Sequence, residues 1–92
     1  MELMKRVKII VNGDVQGVFY RYYAKKEAKK LKLLGWCRNE ADGSVFIIVE
    51  GDSQSVDKFI KWSKIGSPLA SVDEVLISEE KPTGQEKEFE IR

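Results

Sequence analysis

Residues 13–21 read Gly-Asp-Val-Gln-Gly-Val-Phe-Tyr-Arg, which places two glycines, an amide and an arginine within nine positions. Gly17 admits backbone angles that turn successive N–H groups toward one point, as in an anion-binding nest. A helix starting at the end of this stretch would add the partial positive charge of its first N–H groups. Arg21 would add a permanent charge and a planar fork of donors. Together they would cradle one phosphate or one carboxylate. The stretch is not a P-loop, because no Gly-Lys-Ser/Thr follows, and it lacks the Gly-x-Gly-x-x-Gly of a dinucleotide site.

The absences narrow the chemistry further. The chain has no histidine and a single cysteine, Cys37. A Ser-His-Asp triad, a Cys-His dyad and a His-based zinc site are excluded, and Cys37 cannot form an internal disulfide or a thiol metal cage. Catalysis would have to use Arg, Lys, Asn, Gln, Ser, Tyr and carboxylates. The net charge of +1 gives no reason to invoke nucleic acid. Its distribution is uneven, however: residues 1–39 carry +7 and residues 40–92 carry −6. An anion site is therefore expected in the first half.

These groups need a scaffold, and 92 residues supply one domain, 1–92, with a single core of two layers. Hydrophobic residues at 42% and charged residues at 34% fit a soluble globule. No apolar run approaches the ~20 residues of a membrane span. The start reads as no signal peptide, and a reduced, cytoplasmic location is expected. Twelve Lys and ten Glu against two Asn and three Gln lean toward a thermostable protein.

Val7, Ile9 and Val11 alternate with Lys8, Ile10 and Asn12, predicting a strand near 5–12. A tight loop over Gly13–Tyr20 leads into a helix from Arg21 to about Leu33. On it Tyr20, Ala24, Ala28 and Leu31 share one face, and Gly35 is the expected stop. Trp36–Asn39 and Val45–Glu50 read as strands joined across Asp42-Gly43, a strong hairpin signal. Asp52 or Ser53 caps a second helix, with Val56, Phe59, Ile60 and Ser63 on one face and Gly66-Ser67-Pro68 at its end. Val72–Ser78 and Glu86–Ile91 complete the strands. The order β-α-β-β-α-β, with an extra terminal strand, predicts an α+β ferredoxin-like split β-α-β sandwich. Its antiparallel sheet of four to five strands carries two helices on one face.

The Gly13–Arg21 segment resembles the signature of the acylphosphatase family, Gly-x-Val-Gln-Gly-Val-x-aromatic-Arg. Gly35-Trp36-Cys37-Arg38-Asn39, Asp42-Gly43-Ser44-Val45 and Glu50-Gly51 extend the match. Phe59, Trp62, Gly66-Ser67-Pro68 and Phe89-Glu90-Ile91-Arg92 carry it over nearly the whole chain. The resemblance implies a ferredoxin-like fold and a small monomeric enzyme. The enzyme would hydrolyse acyl phosphates to a carboxylate and inorganic phosphate, with no metal and no organic cofactor. It also implies that Arg21 binds the phosphate and that Asn39 positions the attacking water. The backbone N–H groups of Val15, Gln16, Gly17, Val18, Phe19 and Tyr20 would complete the phosphate cradle. Two positions depart from the pattern. Asp14 sets a negative charge beside the site and is expected to face solvent. Tyr20 stands where Phe is common, which is harmless if its hydroxyl finds a partner.

So sparse a set of groups suffices for this reaction. The leaving group is a carboxylate, whose conjugate acid has a pKa of about 4, so no general acid is needed. Phosphoryl transfer has a loose transition state that responds mainly to positioning and charge stabilisation. An amide is a poor base, so Asn39 would orient water rather than deprotonate it. A phosphate monoester is expected to be a poor substrate. Other roles are expected for the remaining residues: Gln16 holding the loop through backbone hydrogen bonds, Phe19 and Tyr20 packing, and Cys37 inert. Trp36 and Trp62 are expected to be partly buried, and the lysines between 25 and 32 a solvated helix face. The main alternative function is a non-catalytic module that binds acyl phosphate or phosphate. An RNA-binding sheet would need exposed aromatics that the strand Val7–Val11 lacks.

Overall fold

Alternation of Val7, Ile9 and Val11 with polar or half-buried neighbours builds strand β1, Met4–Asp14. The computed structural model describes residues 3–92. Helix α1 spans Tyr20–Lys30, β2 Leu34–Asn39, β3 Val45–Asp52, α2 Ser53–Ser63, β4 Ser71–Glu80 and β5 Phe89–Ile91. The sheet order is β4-β1-β3-β2-β5. The ferredoxin-like arrangement holds, with one qualification. β1, β2, β3 and β4 pair antiparallel, whereas β5 adds parallel to β2, so the sheet is mixed.

Both helices contact the sheet and each other. Tyr20, Ala24 and Ala28 of α1 and Val56 and Phe59 of α2 are buried together with Val7, Ile9, Val11, Ile47 and Val49 of the central strands. Fully burying a side chain such as Phe59 stabilises the fold by about 1.5–3 kcal/mol. Asp52 caps α2 by accepting the Ser55 N–H at 3.2 Å, as its position predicts.

The first helix ends earlier than Gly35. Leu31 is its C-cap, and Lys32 takes the left-handed conformation with φ 58°. The Leu33 N–H reaches Ala28 O at 2.8 Å and the Lys32 N–H reaches Lys29 O at 3.1 Å. This paired pattern closes a helix by satisfying its last carbonyls, here without a glycine. Gly35 instead lies inside β2 at φ 142°, where a Cβ would collide with the backbone oxygen of Ile48. Gly13, expected in the loop, is the last residue but one of β1, at a shift in register against β4.

A buried ion cluster sets the path to β5. Glu50 is buried on β3 and accepts Arg6 Nη1–H at 3.0 Å, the Thr83 N–H at 3.1 Å and the Gly84 N–H at 2.9 Å. Burial alone would raise the Glu50 carboxyl's pKa; the Thr83 and Gly84 donors and the Arg6 guanidinium outweigh it and hold it below the usual value. Arg6 also holds Glu80 and Glu86. The segment so anchored delivers Phe89 into the core and β5 alongside β2, with the Gly35 N–H on Glu88 O at 3.0 Å. The strand begins at Phe89 rather than Glu86, because Thr83, Gly84 and Glu86 bond to this cluster and not to a ladder.

Candidate active site

The loop between β1 and α1 is anchored at both ends by its own side chains. Val15 and Tyr20 are buried, while Gly17 and Phe19 between them are exposed. The Tyr20 hydroxyl donates to Ser63 O at 2.8 Å, and its ring lies 5.1 Å from that of Trp62. The tyrosine that stands where phenylalanine is common therefore has its partner, and burial pushes its pKa up. Tyr20 leans on α2 rather than on its own helix. The Ser67 hydroxyl donates to Val18 O at 2.6 Å and holds the middle of the loop from the far side. Asp14 is exposed, as its charge requires.

Gln16 fixes the loop to the neighbouring turn. Its Nε2–H donates to Glu40 O at 2.8 Å and to Ser44 O at 2.9 Å. The turn is itself closed by the Glu40 N–H on Ser44 O and by Asp42 Oδ1, which accepts both the N–H and the hydroxyl of Ser44. Asn39 is the last residue of β2, immediately before this turn and opposite Val45. Gln16 thus couples the backbone of the loop to the residue next to Asn39, the shape-holding role its amide suggested.

Among the described residues, no acceptor within the protein takes the N–H of Val15, Gln16, Gly17, Val18, Phe19 or Tyr20. Gly17 has φ 76°, and Phe19 has φ 63° and ψ 22°. A non-glycine residue held in the left-handed region costs about 1–3 kcal/mol, and left-handed residues are what anion-binding nests use to turn successive N–H groups to one side. Phe19 is also the N-cap of α1 and makes no side-chain cap, and the first turn of α1 holds no acid. A capping side chain would add about 0.5–2 kcal/mol of stability. Its absence leaves the positive end of the helix open, in contrast to α2.

Arg21 stands in the first turn of α1 and is half-buried. Among the described residues it forms no ion pair and no side-chain hydrogen bond, unlike Arg6, Arg38 and Arg92. A cation at a helix N-terminus opposes the helix dipole. With no carboxylate to offset it, the region holds surplus positive potential. Lys25, one turn on, adds to it: burial pushes the Cys37 thiol's pKa up to about 12 against the lowering charges of Arg21 and Lys25. Buried and held as the thiol, Cys37 is inert.

Gly17, Phe19, Tyr20, Arg21, Tyr22 and Ile91 line a cleft of about 270 Å³. The glycine and arginine expected from the sequence meet there. Asn39 does not line the cleft; it is tied to it through Gln16. Its Oδ1 is buried and has no hydrogen-bond partner, alone in this respect among the buried side-chain polar atoms described. A buried acceptor in this state is one that a bound molecule can satisfy. Phe19 does not pack as expected: it is 67% exposed, because the left-handed cap turns its side chain outward. Tyr22 and Ile91 were not anticipated. Tyr22 reads as one more residue of a polar helix face, and Ile91 reaches the cleft only through the parallel β2–β5 pairing. Ser67 had no local signal for its contact with the loop. Among the described residues, no group of three or more His, Cys, Asp or Glu side chains is arranged to hold a metal.

A family model described as Acylphosphatase matches residues 7–91. A protein of Methylococcus capsulatus named acylphosphatase is 46% identical over 88 residues, covering 96% of each chain. The crystal structure of acylphosphatase from Bacillus subtilis superposes with a TM-score of 0.92 at 37% identity, covering 98% of this chain and 99% of that one. The structure of an acylphosphatase from Coxiella burnetii superposes with a TM-score of 0.91 at 31% identity, covering 97% and 93%.

Proposed function

The chain belongs to the acylphosphatase family and is a hydrolase of acyl phosphates, and from that premise we propose which of its residues carry out the reaction and how. The observation that carries the reading is a set of donors with no acceptor among the described residues: the uncapped N–H groups of Val15–Tyr20 beside an Arg21 that no described acid pairs with. The phosphoryl group of an acyl phosphate sits in this cradle. Arg21 takes two of its oxygens through the guanidinium fork, and the loop N–H groups take the remaining charge.

Asn39 Oδ1 accepts a hydrogen bond from a water and aligns it opposite the bond to be broken. The water oxygen bonds to phosphorus as the bond from phosphorus to the acyl oxygen breaks. The electron pair leaves on the carboxylate, which needs no proton. The water's proton passes to a phosphoryl oxygen, because an amide is too weak a base to take it. Inorganic phosphate then leaves the cradle. Charge on the equatorial oxygens grows in the loose transition state, and Arg21 and the N–H groups are already in place to meet it. No metal enters the scheme, since Arg21 and the helix terminus supply the charge stabilisation that a cation would.

We also take the protein to act as a cytoplasmic monomer. No helix among the described residues is long and apolar enough to cross a membrane. The Lys- and Glu-rich, Asn- and Gln-poor composition supports a thermostable chain.

The test is hydrolysis of benzoyl phosphate with EDTA present. Wild type should turn over, and Arg21→Ala should lose about 10²–10³ in kcat, the usual cost of removing one such donor. Arg21→Lys should restore little, because a point charge cannot reproduce the planar fork. A folded wild type that binds phosphate without turnover would instead mark a binding module.

A further inference from the structure

With the phosphoryl group in the cradle, the acyl group must lie over whatever lines the rest of the cleft. That wall is apolar: Phe19, Tyr22 and Ile91 stand around Gly17 and Arg21. They are 67%, 54% and 40% exposed, although each is a large hydrophobic side chain. Scattered exposed hydrophobics need no explanation, but two at the start of α1 and a third from β5, gathered around one cleft, do. Phe19 is held outward by a strained backbone at φ 63°, so its exposure is imposed by the fold. Tyr22 is held as well. Its ring meets that of Tyr23 edge-on at 5.3 Å and 90°, and Lys26 Nζ lies over both rings at 5.9 and 5.7 Å. Ile91 is held by the pairing of β5 with β2.

We propose that Phe19, Tyr22 and Ile91 form the acyl-group subsite and that it selects acyl phosphates with an apolar, flat acyl group over small polar ones. The inference rests on the placement of the phosphoryl group at Arg21 and the loop. The wall carries no charged group of its own and offers one hydroxyl, from Tyr22, so it rewards aryl or extended alkyl groups and gives an acetyl group little to contact. Because Tyr22 is fixed by its own neighbours before substrate arrives, little side-chain freedom is lost on binding.

The experiment compares kcat/KM for benzoyl phosphate and acetyl phosphate in wild type, Tyr22→Ala, Tyr22→Phe and Ile91→Ala. Inhibition by inorganic phosphate and the melting temperature are measured alongside. The wild type should prefer benzoyl phosphate. Tyr22→Ala should lower the benzoyl-to-acetyl ratio about tenfold, equivalent to ~1.4 kcal/mol, and Ile91→Ala should lower it by less. Tyr22→Phe should keep the wild-type ratio, because it keeps the ring. A ratio that is unchanged in Tyr22→Ala and Ile91→Ala, or that falls in Tyr22→Phe as far as in Tyr22→Ala, overturns the subsite. If wild type turns over neither substrate, the hydrolase reading fails first and the subsite falls with it. If wild type turns over both without preference, only the subsite falls.

Discussion

Replacing Asn39 with alanine should separate activity from stability. Among the described residues, no protein group partners the buried Asn39 Oδ1. Alanine therefore breaks no hydrogen bond that this oxygen makes within the protein, and the change in stability should stay within about 1 kcal/mol. For a domain of this size that holds Tm within about 4–8 °C of wild type. In the reaction proposed above the same oxygen aligns the attacking water, and misplacing a reacting atom by about 1 Å can cost 10²-fold in rate. Asn39→Ala should therefore melt close to wild type, hydrolyse benzoyl phosphate at least ~100-fold more slowly, and still be inhibited by phosphate, which the proposal assigns to Arg21 and the loop. Thermal melts by circular dichroism and steady-state kinetics on the same preparation decide the matter. A Tm lower than that range would refute the reasoning, since it would show that the amide stabilises the free protein. Retained turnover would refute the water-positioning role.

Gln16→Ala removes two hydrogen bonds to turn carbonyls and should destabilise by about 1–2 kcal/mol. Because the turn adjoins Asn39, it should lower kcat more than it weakens phosphate inhibition, as inhibition kinetics would show. The Glu50 carboxyl is held below its usual value, so its contribution to stability is complete above the unfolded pKa of about 4.3 and is lost as pH falls through the lower native value. Melts between pH 2 and 7 should show a flatter acid limb in Glu50→Gln, which cannot titrate; an acid limb of wild-type steepness would count against it. Lys32→Gly relieves a left-handed lysine at the end of α1 and should leave stability equal or raise it by up to ~1 kcal/mol, measured by urea unfolding. A clear loss would mean that the lysine stem packs more than its exposure suggests.

The loop to which the chemistry is assigned was legible in the sequence because it is local. Gly17 and Arg21 lie four positions apart, close enough for one loop and one helix start to bring them together whatever the rest of the chain does. The alternation of Val7, Ile9 and Val11, the Asp42-Gly43 turn and the Asp52 cap likewise act over a few residues, and each element formed where its local signal lay. Even the shape-holding role of Gln16 followed from its type and place in the loop. Its acceptors on Glu40 and Ser44 belong to the next β-turn and emerged only with the fold.

What tertiary structure decided was everything that depends on which distant atoms meet. That α1 ends at a left-handed Lys32 and not at Gly35 follows from the close approach of β2 to β3, which claims the glycine. That Phe19 is exposed while Tyr20 is buried cannot be read from two adjacent aromatics; a single left-handed residue turns one out and the other in. Ile91 lines the cleft because a buried Glu50 grips Thr83 and Gly84 and sets β5 parallel to β2, far along the chain from the loop it faces. That neither Arg21 nor the Asn39 oxygen finds a partner among the described residues is a tertiary fact as well. Residue type says what a side chain can bond, and only the assembled surroundings say what has been left without a partner. Short-range sterics and periodicity thus determined the elements and the loop that brings Gly17 and Arg21 together. Long-range packing determined the shape of the space beside them.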